Sequence, residues 1–170
     1  MPSSFERQHR RELLIIDTGP IRELVTFYAV EHFGFRSLKS ELQFIRNRHI
    51  YERCGKFIGG YRSKATSASV VGELYSWIRK TDDAGQLKLW NRVYDEFQGM
   101  GIDEEAVKLL EMKMDLVSRL GPVDVSMIEL ARRHSAHRPL VLTIDGGLYR
   151  ECKRAGLNVS RIEDIEGAPL

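Results

Sequence analysis

The chain holds few of the residues that build covalent or thiol-based frameworks. Cys54 and Cys152 are its only cysteines in 170 residues. They are too few for a disulfide scaffold and lack the paired spacing of a zinc site, so both are expected to be reduced bystanders. No apolar run approaches the roughly 20 residues that a membrane span needs. The first twelve residues are polar and basic (Arg7, Arg10, Arg11), with no apolar signal region. The expectation is a cytoplasmic protein with no membrane partner. Repeats, low-complexity tracts and an interdomain linker are also missing, which argues for a single domain over residues 1–170.

What is present is an ordinary globular composition, 42% apolar and 29% charged, in a chain long enough to bury a core. The formal net charge is only +2, but it is unevenly spread. Residues 36–64 carry eight Lys/Arg (Arg36, Lys39, Arg46, Arg48, Arg53, Lys56, Arg62, Lys64) against Glu41 and Glu52, a net +6. Residues 81–124 carry ten acids against five bases, a net −5. The basic segment suits a polyanion such as nucleic acid, or equally a solvated helix face.

Leu13-Leu14-Ile15-Ile16 runs directly into Asp17-Thr18-Gly19-Pro20. Four apolar residues closed by turn chemistry read as a strand buried on both faces, as in a parallel sheet. Pro139 to Ile144 repeats the pattern and ends at Asp145; Leu157–Ser160 reads as a third strand. Gln98–Ile102 is a candidate short extended piece, and Lys56–Tyr61 a loop or hairpin among Gly55, Gly59 and Gly60. Helices are predicted over Pro20–His32, Leu38–Arg53, Ala68–Lys80 (capped by Thr66 or Ser67), Ala84–Phe97, Asp103 to Gly121, Pro122–His134 and Gly146–Gly156. The tail from Glu163 is expected to fray. Strands set among helices predict a helix-covered parallel sheet.

Four carboxylates stand out. Asp17 and Asp145 follow equivalent strands, and ligands of open α/β sheets bind at carboxyl ends of strands. Asp124 lies in a helix first turn, where any acid is favourable, and Glu73 lies inside a helix near its apolar boundary. Each alone has a bland explanation as a turn residue, a cap or a solvent-facing acid. Crowded together they would repel, and a hard divalent cation would relieve that. His134 and His137 read as a solvated basic helix end, and Trp77 and Trp90 as core.

The pieces Leu14-Ile15-Ile16-Asp17-Thr18-Gly19-Pro20, Ala68-Ser69-Val70-Val71-Gly72-Glu73-Leu74, Gly121-Pro122-Val123-Asp124-Val125-Ser126-Met127-Ile128 and Leu142-Thr143-Ile144-Asp145-Gly146-Gly147-Leu148 occur in that order. With them the chain resembles a PIN domain, the nuclease fold of VapC-type toxins and of several RNA-processing enzymes, over about residues 12–160. The resemblance implies an α/β three-layer sandwich with a central parallel sheet of four or five strands. It implies that Asp17, Glu73, Asp124 and Asp145 are catalytic acids holding Mg²⁺ or Mn²⁺, with Thr18 and Thr143 shaping the site. Metal-assisted hydrolysis of RNA would follow. Toxin relatives further suggest an antitoxin partner and a homodimer. The distance from Asp17 to Glu73 is longer than in compact toxins, mostly through an insertion at about 34–64, and Gly146-Gly147 replace polar residues common in relatives. Arg46, Arg48, Arg53, Arg62 and Lys64 are the cations expected to grip RNA. The competing reading is a PIN-fold RNA- or protein-binding scaffold with little or no catalysis. A third, an α/β phosphohydrolase with Asp17 as nucleophile, lacks the second acid two residues on.

Overall fold

The computed structural model describes residues 13–35, 38, 49–80 and 83–167. Five strands make one sheet: β1 (Leu13–Ile16), β2 (Ser63–Ser67), β3 (Ile102–Glu105), β4 (Leu140–Thr143) and β5 (Asn158–Arg161). All neighbours are parallel and the order is β3-β2-β1-β4-β5. The helices are α1 (Thr18–Phe33), α2 (His49–Gly59), α3 (Ala68–Ile78), α4 (Asp83–Met100), α5 (Met114–Leu120), α6 (Pro122–Arg133) and α7 (Gly146–Arg154).

β1 is central, and all four of its residues are buried because helices cover both faces. From β1 the chain moves outward to β2 and then β3. It then returns across the sheet to β4 and continues to β5 on the other side. With the right-handed crossovers that parallel strands favour, α1–α4 fall on one face and α5–α7 on the other. In keeping with this, α1 packs on α2, α3 and α4, while α5 packs on α6. The expected α/β sandwich with a helix-flanked parallel sheet is therefore the fold, with five strands.

Several expectations fail in instructive ways. β2 reads Ser-Lys-Ala-Thr-Ser and gives no apolar signal, yet four of its five residues are buried. Its polar groups are bonded internally: Thr66 Oγ1 donates to the Ile16 carbonyl at 2.7 Å and Lys64 Nζ to the Tyr61 carbonyl at 2.9 Å. Burial of bonded polar groups is tolerated where burial of orphaned ones is not.

β3 reads Ile-Asp-Glu-Glu, and its acids resemble a helix first turn. As an edge strand it can leave Asp103 and Glu104 in water. The long helix expected from Asp103 to Gly121 is instead this strand, a 3-10 turn at Leu109–Glu111 and the short α5. Leu110 and Met114, apolar residues of that expected helix, are exposed. Gln98 to Met100 ends α4 and is not extended.

Lys56–Gly59 belongs to α2, not to a loop or hairpin. The tail at Ile162–Gly167 forms a 3-10 turn that packs on α2 and buries Ile162 and Ile165, so it does not fray there. Of the helix expected over Leu38–Arg53, residues 39–48 lie outside the described residues, as do Arg36, Lys39, Arg46 and Arg48.

Candidate active site

The connections leaving β1 and β4 run in opposite directions along the sheet, so the chain switches direction between these two strands. Their carboxyl ends open into the crevice where α/β folds bind ligands. Asp17 follows β1 directly, and Asp145 stands two residues beyond β4. The Asp17 amide donates to the Leu142 carbonyl at 3.0 Å, which continues the β1–β4 ladder by one residue. The Thr143 hydroxyl donates to Asp17 Oδ2 at 2.6 Å, and the Asp145 amide donates to that hydroxyl at 2.8 Å. Thr143 thus sits between the two acids and bonds to both residues.

Each acid also caps a helix. Asp17 Oδ1 accepts from the Thr18 amide at 2.7 Å at the start of α1, and Asp145 Oδ1 accepts from the Leu148 amide at 2.7 Å at the start of α7. Gly19 is required here: a Cβ on it would come within 2.3 Å of Ile144 Cγ1. Its lack of a side chain lets α1 begin against the end of β4.

Glu73 is the sixth residue of α3, and its Oε2 accepts from the Thr18 hydroxyl. Asp124 is the third residue of α6, after Gly121 (φ 92°) and Pro122. Ser67, the last residue of β2, caps α3 and shares a 2.7 Å hydrogen bond with Ser126 of α6. Ser126 in turn donates to the Val123 carbonyl at 2.6 Å. This buried pair joins the starts of α3 and α6 across the edge of the sheet.

All four acids named by the sequence, with Thr18, line one cavity of about 500 Å³. Thr143 is fully buried behind Asp17. Asp17 itself is 5% exposed, and burial pushes its carboxyl up to about 6; the charges of Glu73 and Asp145 add to this, while the bonds from Thr143 and Thr18 oppose it. Asp124 is pushed up to about 7, first by burial, then by the charges of Asp17, Asp145 and Glu73. The groups that hold Asp17 down are the Thr143 hydroxyl and the Thr18 amide, neither of them a cation.

The donor chemistry suits a hard divalent cation, since carboxylates and hydroxyls line the cavity and no thiol or imidazole does. As they stand, no three Asp, Glu, His or Cys side chains among the described residues are gathered into a coordination shell. Two local bonds hold the acids apart: Glu73 is engaged by Thr18, and Asp145 by its own helix.

No family model matches this chain, and no curated protein matches it. Among solved structures, a domain of a functionally unknown protein from Methanocaldococcus jannaschii DSM 2661 is similar over 88% of this chain and 90% of its own, at 14% identity and a TM-score of 0.49.

Of the cations expected to grip RNA, Arg46 and Arg48 lie outside the described residues. Arg53, Arg62 and Lys64 do not line the acidic cavity; Arg62 and Lys64 line a separate one with Asp103, Glu105, His134 and His137. The cations at the acidic cavity are Arg22 and Lys80, neither of which was expected at a site; Glu23, Ser76 and Trp77 line it as well. A signal for three of these was available. Glu73, Ser76, Trp77 and Lys80 are spaced i, i+3, i+4, i+7, which is one face of a helix. Trp77, expected in the core, is 8% exposed and also forms part of the cavity wall. His134 is bonded to Glu105 at 2.7 Å, as fits a structural helix end. Both cysteines are free and buried. No helix among the described residues is long and apolar enough to cross a membrane.

Proposed function

We propose that the chain is a metal-dependent ribonuclease in which Asp17, Glu73, Asp124 and Asp145 hold Mg²⁺ or Mn²⁺. The reading rests on the convergence of four acids, from four separate segments, on one cavity at the switch point of the sheet. Asp17 is buried and Asp124 partly so, and burial together with the neighbouring acids pushes both carboxyls up. When bound, the ion supplies Lewis acidity for hydrolysis of a phosphodiester. The protein's own groups divide the remaining work. Thr143 and the Thr18 amide hold Asp17 in one orientation and favour its charged form. The Thr18 hydroxyl occupies Glu73 Oε2, which leaves Oε1 as the oxygen that takes a proton from the attacking water. Asp124 is bound by no hydrogen bond of its carboxylate among the described residues, so it can turn toward a cation.

The test is cleavage of mixed RNA with and without Mn²⁺ by the parent, Asp17→Asn and Asp124→Asn proteins, alongside calorimetric Mn²⁺ binding. Metal-dependent cleavage lost in both variants is the expected result. Absence of both cleavage and Mn²⁺ binding would overturn it. The scaffold reading would then take its place. Asp17 as a phosphoryl nucleophile is disfavoured, since both its oxygens accept hydrogen bonds at the cavity floor. A cytoplasmic setting, an antitoxin partner and a homodimer belong to the same proposal, and co-purification with the product of a neighbouring small gene tests the partner.

A further inference from the structure

A second cavity, of about 450 Å³, lies at the edge of the sheet opposite the acids. Leu13 opens β1, Leu140 opens β4 and Asn158 opens β5, and all three line it. The strands are parallel, so these residues share the amino edge, whereas Asp17 and Asp145 follow the carboxyl ends. The chain from Leu13 to Asp17 spans about 13 Å at the rise of a strand. α7 runs back against the strands and brings Lys153, near its end, to the amino edge. The two cavities share no lining residue.

The chemistry here is the reverse of that at the acids. Arg138 and Lys153 line this cavity, and no Asp or Glu does. Among the described residues neither cation forms an ion pair. Lys153 Nζ stands 5.5 Å from the Tyr149 ring centroid, a contact that leaves its charge and its N–H donors in place. Arg138 is also the one non-glycine residue with positive φ (45°) among the described residues, where it closes the 3-10 turn at Ser135–His137. Glycine takes that left-handed conformation without cost, and a residue with a long side chain does not. Asn158 Nδ2 donates to the Arg138 carbonyl at 3.4 Å and so holds the turn. The rest of the wall is largely apolar. Phe57 and Tyr61 meet edge to face with ring centroids 5.4 Å apart, and four aliphatic side chains join them. A few polar groups on an apolar wall of this size make the ordinary form of a small-ligand site.

Two cations with no acid beside them match a dianion better than a monoanion. A phosphate monoester carries a charge of about −1.5 to −2 at neutral pH, and its free oxygens can accept from a guanidinium and an ammonium together. We propose that this cavity binds a small phosphate monoester with an aromatic or aliphatic body. Arg138 and Lys153 take the phosphate, and the wall of Phe57 and Tyr61 takes the body. The site stands apart from the nuclease reading and needs no metal.

The test is calorimetry of phenyl phosphate, phenyl sulfate and inorganic phosphate with the full chain, in buffer containing a chelator so that the acids hold no metal. Phenyl phosphate should bind about tenfold or more tighter than the other two, since phenyl sulfate carries a single charge and inorganic phosphate lacks the ring. Arg138→Gly and Lys153→Gln should each weaken its binding by about tenfold, the size of one lost charge-assisted contact. Arg138→Gly puts at a φ of 45° the residue that suits it, so thermal melting should hold and the loss cannot be laid to misfolding. Asp17→Asn should leave phenyl phosphate binding as it is, which separates this site from the acids. Four results would overturn the proposal: no binding of phenyl phosphate by the parent protein, equal binding of phenyl sulfate, an affinity unmoved in both cation variants, or binding lost in Asp17→Asn.

Discussion

Two groups of acids in this protein have opposite surroundings. Near the end of α6, Glu105 and Glu111 meet Arg133 at 3.5 and 2.7 Å, and Glu105 also meets His134 at 2.7 Å. Around the switch point, Asp17 and Asp124 meet other acids, and among the described residues neither forms an ion pair. The first group is electrostatically satisfied by its own chain and holds β3 to α6. The second is left uncompensated, and folding gains nothing from bringing those charges together. Such an arrangement persists in a protein when something besides stability maintains it.

The largest expected effect separates the two groups by activity. Asp145→Asn should lower Mn²⁺-dependent RNA cleavage by about 10³-fold or more, as loss of a group that stabilises developing charge does. Glu105→Gln should leave it within about twofold, since Glu105 does not line the acidic cavity. Equal losses would mean that the contrast has no functional content.

The next effect is on stability against pH. In the unfolded chain the Asp17 and Asp124 carboxyls titrate near 4, while in the fold they do so near about 6 and 7. Their contribution is then fully present below pH 4 and disappears as pH rises through 6 and 7. The metal-free protein should lose on the order of 3 kcal/mol from Asp17 over that range, measured by urea unfolding as the difference between parent and Asp17→Asn. Saturating Mn²⁺ should flatten the loss. Glu111 has the opposite sign: its hydrogen bond from Arg133 lowers its pKa, so its contribution is present at neutral pH and is lost on acidification.

A smaller effect concerns the close approach that frames the acidic edge. Gly19→Ala should cost about 1–3 kcal/mol, because its Cβ would overlap Ile144. Gly72→Ala, in open space inside α3, should instead stabilise by up to about 1 kcal/mol. The smallest is Arg133→Gln. It breaks two half-exposed pairs and should cost about 1 kcal/mol or less by the same measurement.

The contrast also explains what could be read in advance. β1 and β4 announce themselves because buried strands of a parallel sheet need apolar residues on both faces, and both end at acids. Asp17 and Asp145 were legible for the same reason, while Glu73 and Asp124 stood out only through the resemblance to PIN domains. β2 was not, because its burial is carried by hydroxyls and a lysine whose partners come from Ile16, Tyr61 and Ser126. Those partners are two backbone carbonyls and one remote hydroxyl, which no periodicity records. β3 was mistaken for a helix start because an edge strand may keep its acids in water. Arg22 and Lys80 were overlooked in favour of the denser basic run at 36–64, although charge density along a chain does not say which strand end it reaches.

The pairing of β1 with β4 also affects how the chain must be made. Thr143 reaches Asp17 across 126 residues of sequence, so no N-terminal fragment that stops short of β4 contains the assembled site. During synthesis, β1 can gain β2 early but must wait for β4 on its other side. Until then Leu13-Leu14-Ile15-Ile16 presents an unpaired apolar edge, the kind of surface that associates with other chains. A truncated product is thus inert at the acids and sticky at the sheet. The growing chain should therefore be most in need of a chaperone between the emergence of β2 and that of β4.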